Sequence, residues 1–279
     1  WAALGALGAA LGWRAGSARR IRRAHVERAM RAAGIDRPRR AASAMYRALG
    51  RSAFEFFWIA SRRAPLAEIA RIDGASRALL DAAAARGRGV VFAASHTGNW
   101  DLAACAVAAR LPLLVVTKRL SSRALDAFWQ SSRAAYGVSL CEAAGALERG
   151  RAHLARGGAV AMMIDQVPLA RRHADEAPFL GRAALVDRAP AALAAAAGAP
   201  LVVTAARRDR DGTHVLHVLC VVDPPDRAGP SWVVSATRAA TAALDAFVRA
   251  HPSEWLWLHR RWRAPRAATR AGSRARASA

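Results

Sequence analysis

Gly89-Val90-Val91-Phe92-Ala93-Ala94-Ser95-His96-Thr97-Gly98-Asn99-Trp100-Asp101 is the stretch that decides the fold, and the apolar run Leu102 to Ala109 follows it directly. A β-branched segment enters a polar turn, and a helical pattern opens with an acid in its first turn. The stretch therefore reads as strand, turn and helix, with a histidine and a carboxylate at the mouth. Along one continuous helix His96 and Asp101 would lie about 140° apart. They meet only if His96 precedes the helix and the turn folds it back. Gly98 makes such a turn easy and Asn99 is a good N-cap. In that geometry Asp101 accepts from one imidazole nitrogen while the other removes a proton from a substrate hydroxyl.

With eight histidines and 20 acids in 279 residues, a histidine followed five positions later by an acid arises by chance in many chains. On spacing alone a structural histidine is the favoured reading, and the strand-turn-helix context and the rest of the chain have to decide. The length suits one large domain, or a domain with a helical extension. Lysine and arginine number 43 and the formal net charge is +23. Such a charge favours anionic partners: nucleic acid, anionic lipid or phosphorylated substrates. Cys105, Cys141 and Cys220 show neither CxxC pairing nor metal-ligand spacing, and read as reduced core residues. HExxH is absent from the sequence, and no metal site is expected.

Residues 1 to about 80 read as helices, and Ala41 to Ser61 places Met45, Leu49, Phe56, Trp58 and Ile59 in a mixed helical pattern. The aromatic cluster Phe54, Phe56, Phe57 and Trp58 is expected to pack in the core. Trp1 to Trp13 is apolar but shorter than the roughly 20 residues that span a bilayer. Arginines follow at once, so this start reads either as the remnant of a trimmed membrane anchor or as an ordinary amphipathic helix. From Gly87 onward strands alternate with helices. Strands are expected at Gly89 to Ala94, Leu113 to Thr117, Ala159 to Ile164, Leu201 to Ala206 and His214 to Val222, the last two joined by a turn at Arg208 to Gly212. Helices are expected near Trp100 to Arg110, Arg123 to Tyr136, Ala143 to Arg156, Pro190 to Ala197 and Trp232 to Ala250. The fold class is α/β: a mixed central sheet flanked by helices, with an N-terminal helical region. Residues 1–80 form the helical region, 81–263 the α/β domain, and 264–279 a basic tail expected to be disordered.

Four further features invite a functional reading. Asp165-Gln166 ends the apolar run Ala159 to Ile164, where open sheets place their ligands, although a loop cap explains it equally. Pro178-Phe179-Leu180-Gly181 follows a charged loop, Arg171 to Glu176, and reads as a turn or as a flap over substrate. Arg119, Arg123 and Arg133 suit phosphate binding or a solvated helix face. Trp255-Leu256-Trp257-Leu258-His259-Arg260-Arg261-Trp262-Arg263 reads most simply as tryptophans packed inward with arginines facing out; nucleotide stacking and a membrane interface are the other readings.

Taken together, these residues resemble the late lauroyl/myristoyl acyltransferases of lipid A biosynthesis. Ser-His-Thr-Gly-Asn-Trp-Asp at 95–101, Arg119, Arg133, Asp165-Gln166, Pro-Phe-Leu-Gly at 178–181 and the run 252–263 carry the resemblance, and the His-x4-Asp element is shared with the wider glycerolipid acyltransferases. The resemblance implies transfer of a fatty acyl group from an acyl carrier protein or CoA thioester to a hydroxyl of a membrane glycolipid. It implies His96 as general base with Asp101 as its partner, and Asn99, Arg119, Arg133, Asp165, Gln166 and Gly181 at the substrate. No cofactor beyond the thioester co-substrate is implied, nor any nucleic acid. The implied location is the cytoplasmic face of the inner membrane. Three departures stand out: Asp101 where the family often has Glu, Leu180 where a second Phe is common, and a missing or incomplete anchor. Acylation of another acceptor, such as a phosphatidylinositol mannoside, and a non-catalytic basic protein that binds lipid or nucleic acid are the competing readings.

Overall fold

The computed structural model describes residues 2–18, 20–60, 65–168 and 171–262. Three helices open the chain: α1 (Ala2–Ala18), α2 (Arg20–Ala32) and α3 (Pro38–Ala60). There follow β1 (Ala70–Ile72), α4 (Gly74–Ala84), β2 (Val90–Ala94), α5 (Trp100–Ala108), β3 (Leu113–Thr117), α6 (Arg123–Ala134), β4 (Val138–Glu142), α7 (Ala146–Leu154) and β5 (Ala159–Met163). The remainder is β6 (Ala174–Phe179), β7 (Arg182–Asp187), α8 (Ala189–Ala197), β8 (Leu201–Arg208), β9 (His214–Val222) and α9 (Pro230–Ala250). Seven strands form one sheet in the order β1-β9-β8-β2-β5-β3-β4, and β6 pairs with β7 separately. β2, β5, β3, β4 and β8 run parallel, while β8 and β9 form an antiparallel hairpin. The mixed sheet with an N-terminal helical region agrees with the pattern read from the sequence.

The alternation of β2 explains the layering. Val91 and Ala93 enter one buried cluster, which includes residues of α8 and α9. Val90 and Phe92 enter a second, which includes residues of α4 and α5. A strand apolar on both faces must be covered on both. Connections from β2 and β5 leave in opposite directions, β2 toward β3 and β5 toward β8. That is a switch point of an open α/β sheet, and such sheets take their ligands at the carboxyl ends of the strands there.

Helices throughout residues 1–80 is an expectation that fails at Ala70–Ile72, which joins the sheet edge in parallel with β9. Three residues are too few for period-2 alternation to register. β4, β6 and β7 were likewise not foreseen, and residues 174–176 of the expected charged loop begin β6. The basic tail at 264–279 lies outside the described residues.

In the helical region, α1 lies directly against α3. A Cβ on Gly12 would sit 2.4 Å from Tyr46 O, and one on Gly50 would sit 2.2 Å from Gly8 O. Only glycine permits that approach. α3 is in turn pinned to the sheet by a buried charge cluster: Glu55 accepts from His214 Nε2 at 2.7 Å and pairs with Arg208. Among the described residues no helix is long and apolar enough to cross a membrane. The aromatic cluster divides: Phe56 is buried and stacks on Trp129, whereas Phe57 is exposed and stacks on Phe128. Cys105 and Cys141 are buried and unpaired, and Cys220 is partly buried.

Candidate active site

Register builds this site. Parallel pairing sets Ala94 of β2 opposite Met163 of β5. The residues two positions beyond are His96 and Asp165. His96 Nδ1 lies 2.9 Å from Asp165 Oδ1, and the backbone N–H of His96 donates to Oδ2 at 3.0 Å. Trp255 Nε1 donates to the same Oδ2 at 2.9 Å. Asp165 is 3% exposed, and the His96 side chain 18%. With Nδ1–H donating to a carboxylate, Nε2 carries the lone pair. Gln166 sets its amide 3.4 Å from Nε2, and Trp100 presents its ring at 5.1 Å.

The turn that carries His96 is made by Gly98, whose φ is +54° and whose Cβ, if present, would meet Ala206 O at 2.7 Å. Gly98 N–H donates to Glu254 O at 2.8 Å. Asn99 caps α5 through Oδ1, which accepts from Leu102 N–H at 3.3 Å, while its Nδ2 donates to Ser52 O on α3 at 3.0 Å. Both ends of that buried amide are engaged in structure, and Asn99 caps α5.

Asp101 is not the partner of the imidazole. From the first turn of α5 its carboxylate points into the interior, where Arg133 Nε and Nη2 reach Oδ1 at 2.8 and 2.6 Å and Trp129 Nε1 reaches Oδ2 at 3.2 Å. Donors from α6 explain the outcome: Arg133 and Trp129 between them bond both oxygens of Asp101, while Asp165 takes Nδ1 of His96. Burial holds the Asp101 carboxyl above its usual range despite Arg133 and Trp129. Arg133, expected at a phosphate, forms an ion pair with Asp101 here. Asp101→Ala would strand the guanidinium, and we expect it to destabilise the fold by about 3–5 kcal/mol, read by urea denaturation.

Burial of His96 is the largest influence and opposes its protonation, but the charge and hydrogen bond of Asp165, with the charge of Asp101 added, outweigh it and raise the pKa above 6.5. Asp165 moves the other way: His96 and the donors from Trp255 and the His96 backbone overcome burial and hold the carboxyl below its ordinary value. The net upward shift comes chiefly from Asp165, with Asp101 a smaller contributor.

The remaining expected residues fall elsewhere. Arg119 pairs with Glu142 at 2.6 Å on the same sheet edge, two strands from His96, and its side chain is largely exposed. Gly181 and Leu180 form the tight turn of the β6–β7 hairpin, with φ of +78° and +51°. Leu180 is fully buried and its N–H donates to Asp245 of α9. The Pro-Phe-Leu-Gly element is thus a hairpin tip packed on α9, and Gly181 is a turn residue. Arg261, expected to face solvent, is 1% exposed. Nothing in its pattern distinguished it from exposed Arg260 beside it.

An α/β sheet that presents a carboxylate-bound histidine at its switch point, followed by a helix opening with the His-x4-Asp acid, makes a candidate acid–base site. The chain belongs to the bacterial lipid A biosynthesis acyltransferase family, whose model matches residues 2–264. No curated protein matches the chain in a sequence search. Membership makes acyl transfer to a lipid A-type acceptor the activity, and displaces the reading of a non-catalytic basic binding protein.

Proposed function

We propose that the protein transfers a fatty acyl chain from an acyl carrier protein or CoA thioester to a hydroxyl of a lipid A-type glycolipid, with His96 Nε2 as general base. The observation that carries this reading is the 2.9 Å contact of Nδ1 with Asp165, which leaves Nε2 as the acceptor on a side chain that solvent still reaches. A thioester is already activated, so the nucleophile is the acceptor hydroxyl itself. Its proton passes to Nε2, its oxygen attacks the carbonyl carbon, the C–S bond breaks, and the departing thiolate takes the proton back from the imidazolium. The exposed guanidinium of Arg119 is suited to a phosphate of donor or acceptor, since its surface ion pair costs little to exchange.

Membrane association at the cytoplasmic face of the inner membrane belongs to the same proposal. Leu7 and Leu11 on α1, Phe57 on α3, and Leu120, Leu125 and Phe128 around α6 are exposed apolar side chains. The Phe57–Phe128 stack links α3 to α6, and neighbouring Trp129 reaches Asp101. An apolar surface on a chain of net charge +23 suits an anionic lipid interface. The test is turnover with a panel of acyl carrier protein and CoA thioesters and a lipid A precursor in detergent. Transfer from at least one class of donor is expected; no transfer from any donor would sink the proposal.

A further inference from the structure

We propose that Trp255 is a positioning residue for the His96–Asp165 pair, and that residues 254–262 form a strap whose purpose at the site is to deliver its indole N–H to Asp165 Oδ2. The inference rests on the reading of His96 as the base, but its central observable does not require turnover.

The strap follows α9 and runs antiparallel to the catalytic turn. Thr97 and Trp255 form an isolated antiparallel bridge, Leu256 N–H donates to His96 O at 3.0 Å, and Gly98 N–H donates to Glu254 O at 2.8 Å. Thus the backbone on both sides of Trp255 is tied to the backbone on both sides of Thr97. Farther along, His259 Nε2 accepts from Val167 N–H at 3.1 Å, two residues past Asp165. Arg261 Nη1 donates to Leu185 O of β7 at 2.5 Å and Trp262 Nε1 to Phe179 O of β6 at 3.3 Å. One segment therefore grips the loop of the base, the loop of its carboxylate and the β6–β7 hairpin.

Within it, Trp255 alone reaches the carboxylate. Its ring is 1% exposed, held edge-on by Phe179 at 5.3 Å and by Trp257 at 4.8 Å. A buried indole N–H requires an acceptor, and here that acceptor is Asp165 Oδ2 at 2.9 Å. Two donors, this indole and the His96 backbone N–H, fix Oδ2, so the carboxylate cannot rotate and Oδ1 stays aimed at Nδ1. Trp257 provides an internal contrast. It is equally buried and its ring touches Trp255, but its N–H goes to Pro252 O at 2.7 Å. Packing is shared by the two tryptophans; the donor to Asp165 is not.

The indole also spreads part of the charge on Asp165. Removing it leaves more negative charge facing Nδ1–H, which favours the imidazolium. The other charges that act on His96 are Asp101 and Arg133, and Arg261 lies within the field of Asp165. None of these is altered by exchanging tryptophan for phenylalanine.

The experiment compares the full chain with Trp255→Phe and Trp257→Phe. The His96 imidazole is followed by NMR titration of histidine-labelled protein, with the resonance assigned by His96→Gln. Trp255→Phe is expected to raise the His96 midpoint by about half a pH unit and to lower kcat/KM about tenfold through kcat rather than KM. Trp257→Phe is expected to leave the midpoint where it is. Equal displacement in both variants, or none in Trp255→Phe, would overturn the proposal. A measurement on unaltered protein guards against a variant that fails to fold: the Trp255 indole N–H resonance should titrate with the His96 midpoint while that of Trp257 does not. An indole signal indifferent to that titration would also overturn it. A Trp255-specific shift in a protein that turns over no acyl donor would support this inference while sinking the proposed activity.

Discussion

His96→Ala is expected to lower kcat/KM for acyl transfer by about 10³- to 10⁴-fold while leaving the fold intact. The imidazole is partly exposed, and among the described residues it bonds to Asp165 and the Gln166 amide. Its loss removes the acceptor for the hydroxyl proton and little packing. The Asp165 carboxylate keeps its donors from Trp255 Nε1 and the backbone N–H of residue 96, so it is not stranded. Rates with each thioester, set beside circular dichroism and thermal melts, check both halves. Activity within tenfold of the unaltered enzyme would remove His96 from the mechanism.

Asp165→Asn is the second large effect, and its direction with pH separates it from a general loss of structure. An amide removes the negative charge that stabilises the imidazolium, and it can offer an N–H to Nδ1, which selects the wrong tautomer. A fall of about 10²- to 10⁴-fold in kcat follows from the tautomer. The charge sets the pH profile. In the unaltered enzyme the His96 pKa is raised, so the neutral base accumulates only as pH climbs through a value above 6.5, and the acid limb of kcat/KM should lie there. Without the carboxylate, burial dominates and the acid limb should move to lower pH. Asp101→Asn should move it much less, because that carboxylate acts on His96 at a distance and is bonded to Arg133 and Trp129. Profiles of kcat/KM against pH for the three proteins decide the matter. An Asp101→Asn shift as large as that of Asp165→Asn would return the orienting role to the His-x4-Asp acid.

These expectations differ from those drawn from residues close in sequence, and the difference has a geometric cause. Asp101 is five residues from His96, whereas Asp165 is 69 residues away. Sequence proximity favours the first. Parallel pairing of β2 with β5 brings the second into hydrogen-bond contact, while the first turn of α5 carries Asp101 inward to Arg133.

The sequence by itself determined the α/β class, the strands Leu113–Thr117 and His214–Val222, the β8–β9 hairpin, and a histidine placed between a strand and a helix capped by Asn99. Apolar period, β-branched runs, glycine turns and caps are local signals, and each acts within a few residues. Tertiary structure alone decided which carboxylate meets the imidazole, that Arg133 neutralises Asp101, that Arg261 is buried beside exposed Arg260, and that the Trp255 indole completes the site. Those outcomes depend on strand order and register, which set distant residues side by side and leave no trace in local spacing.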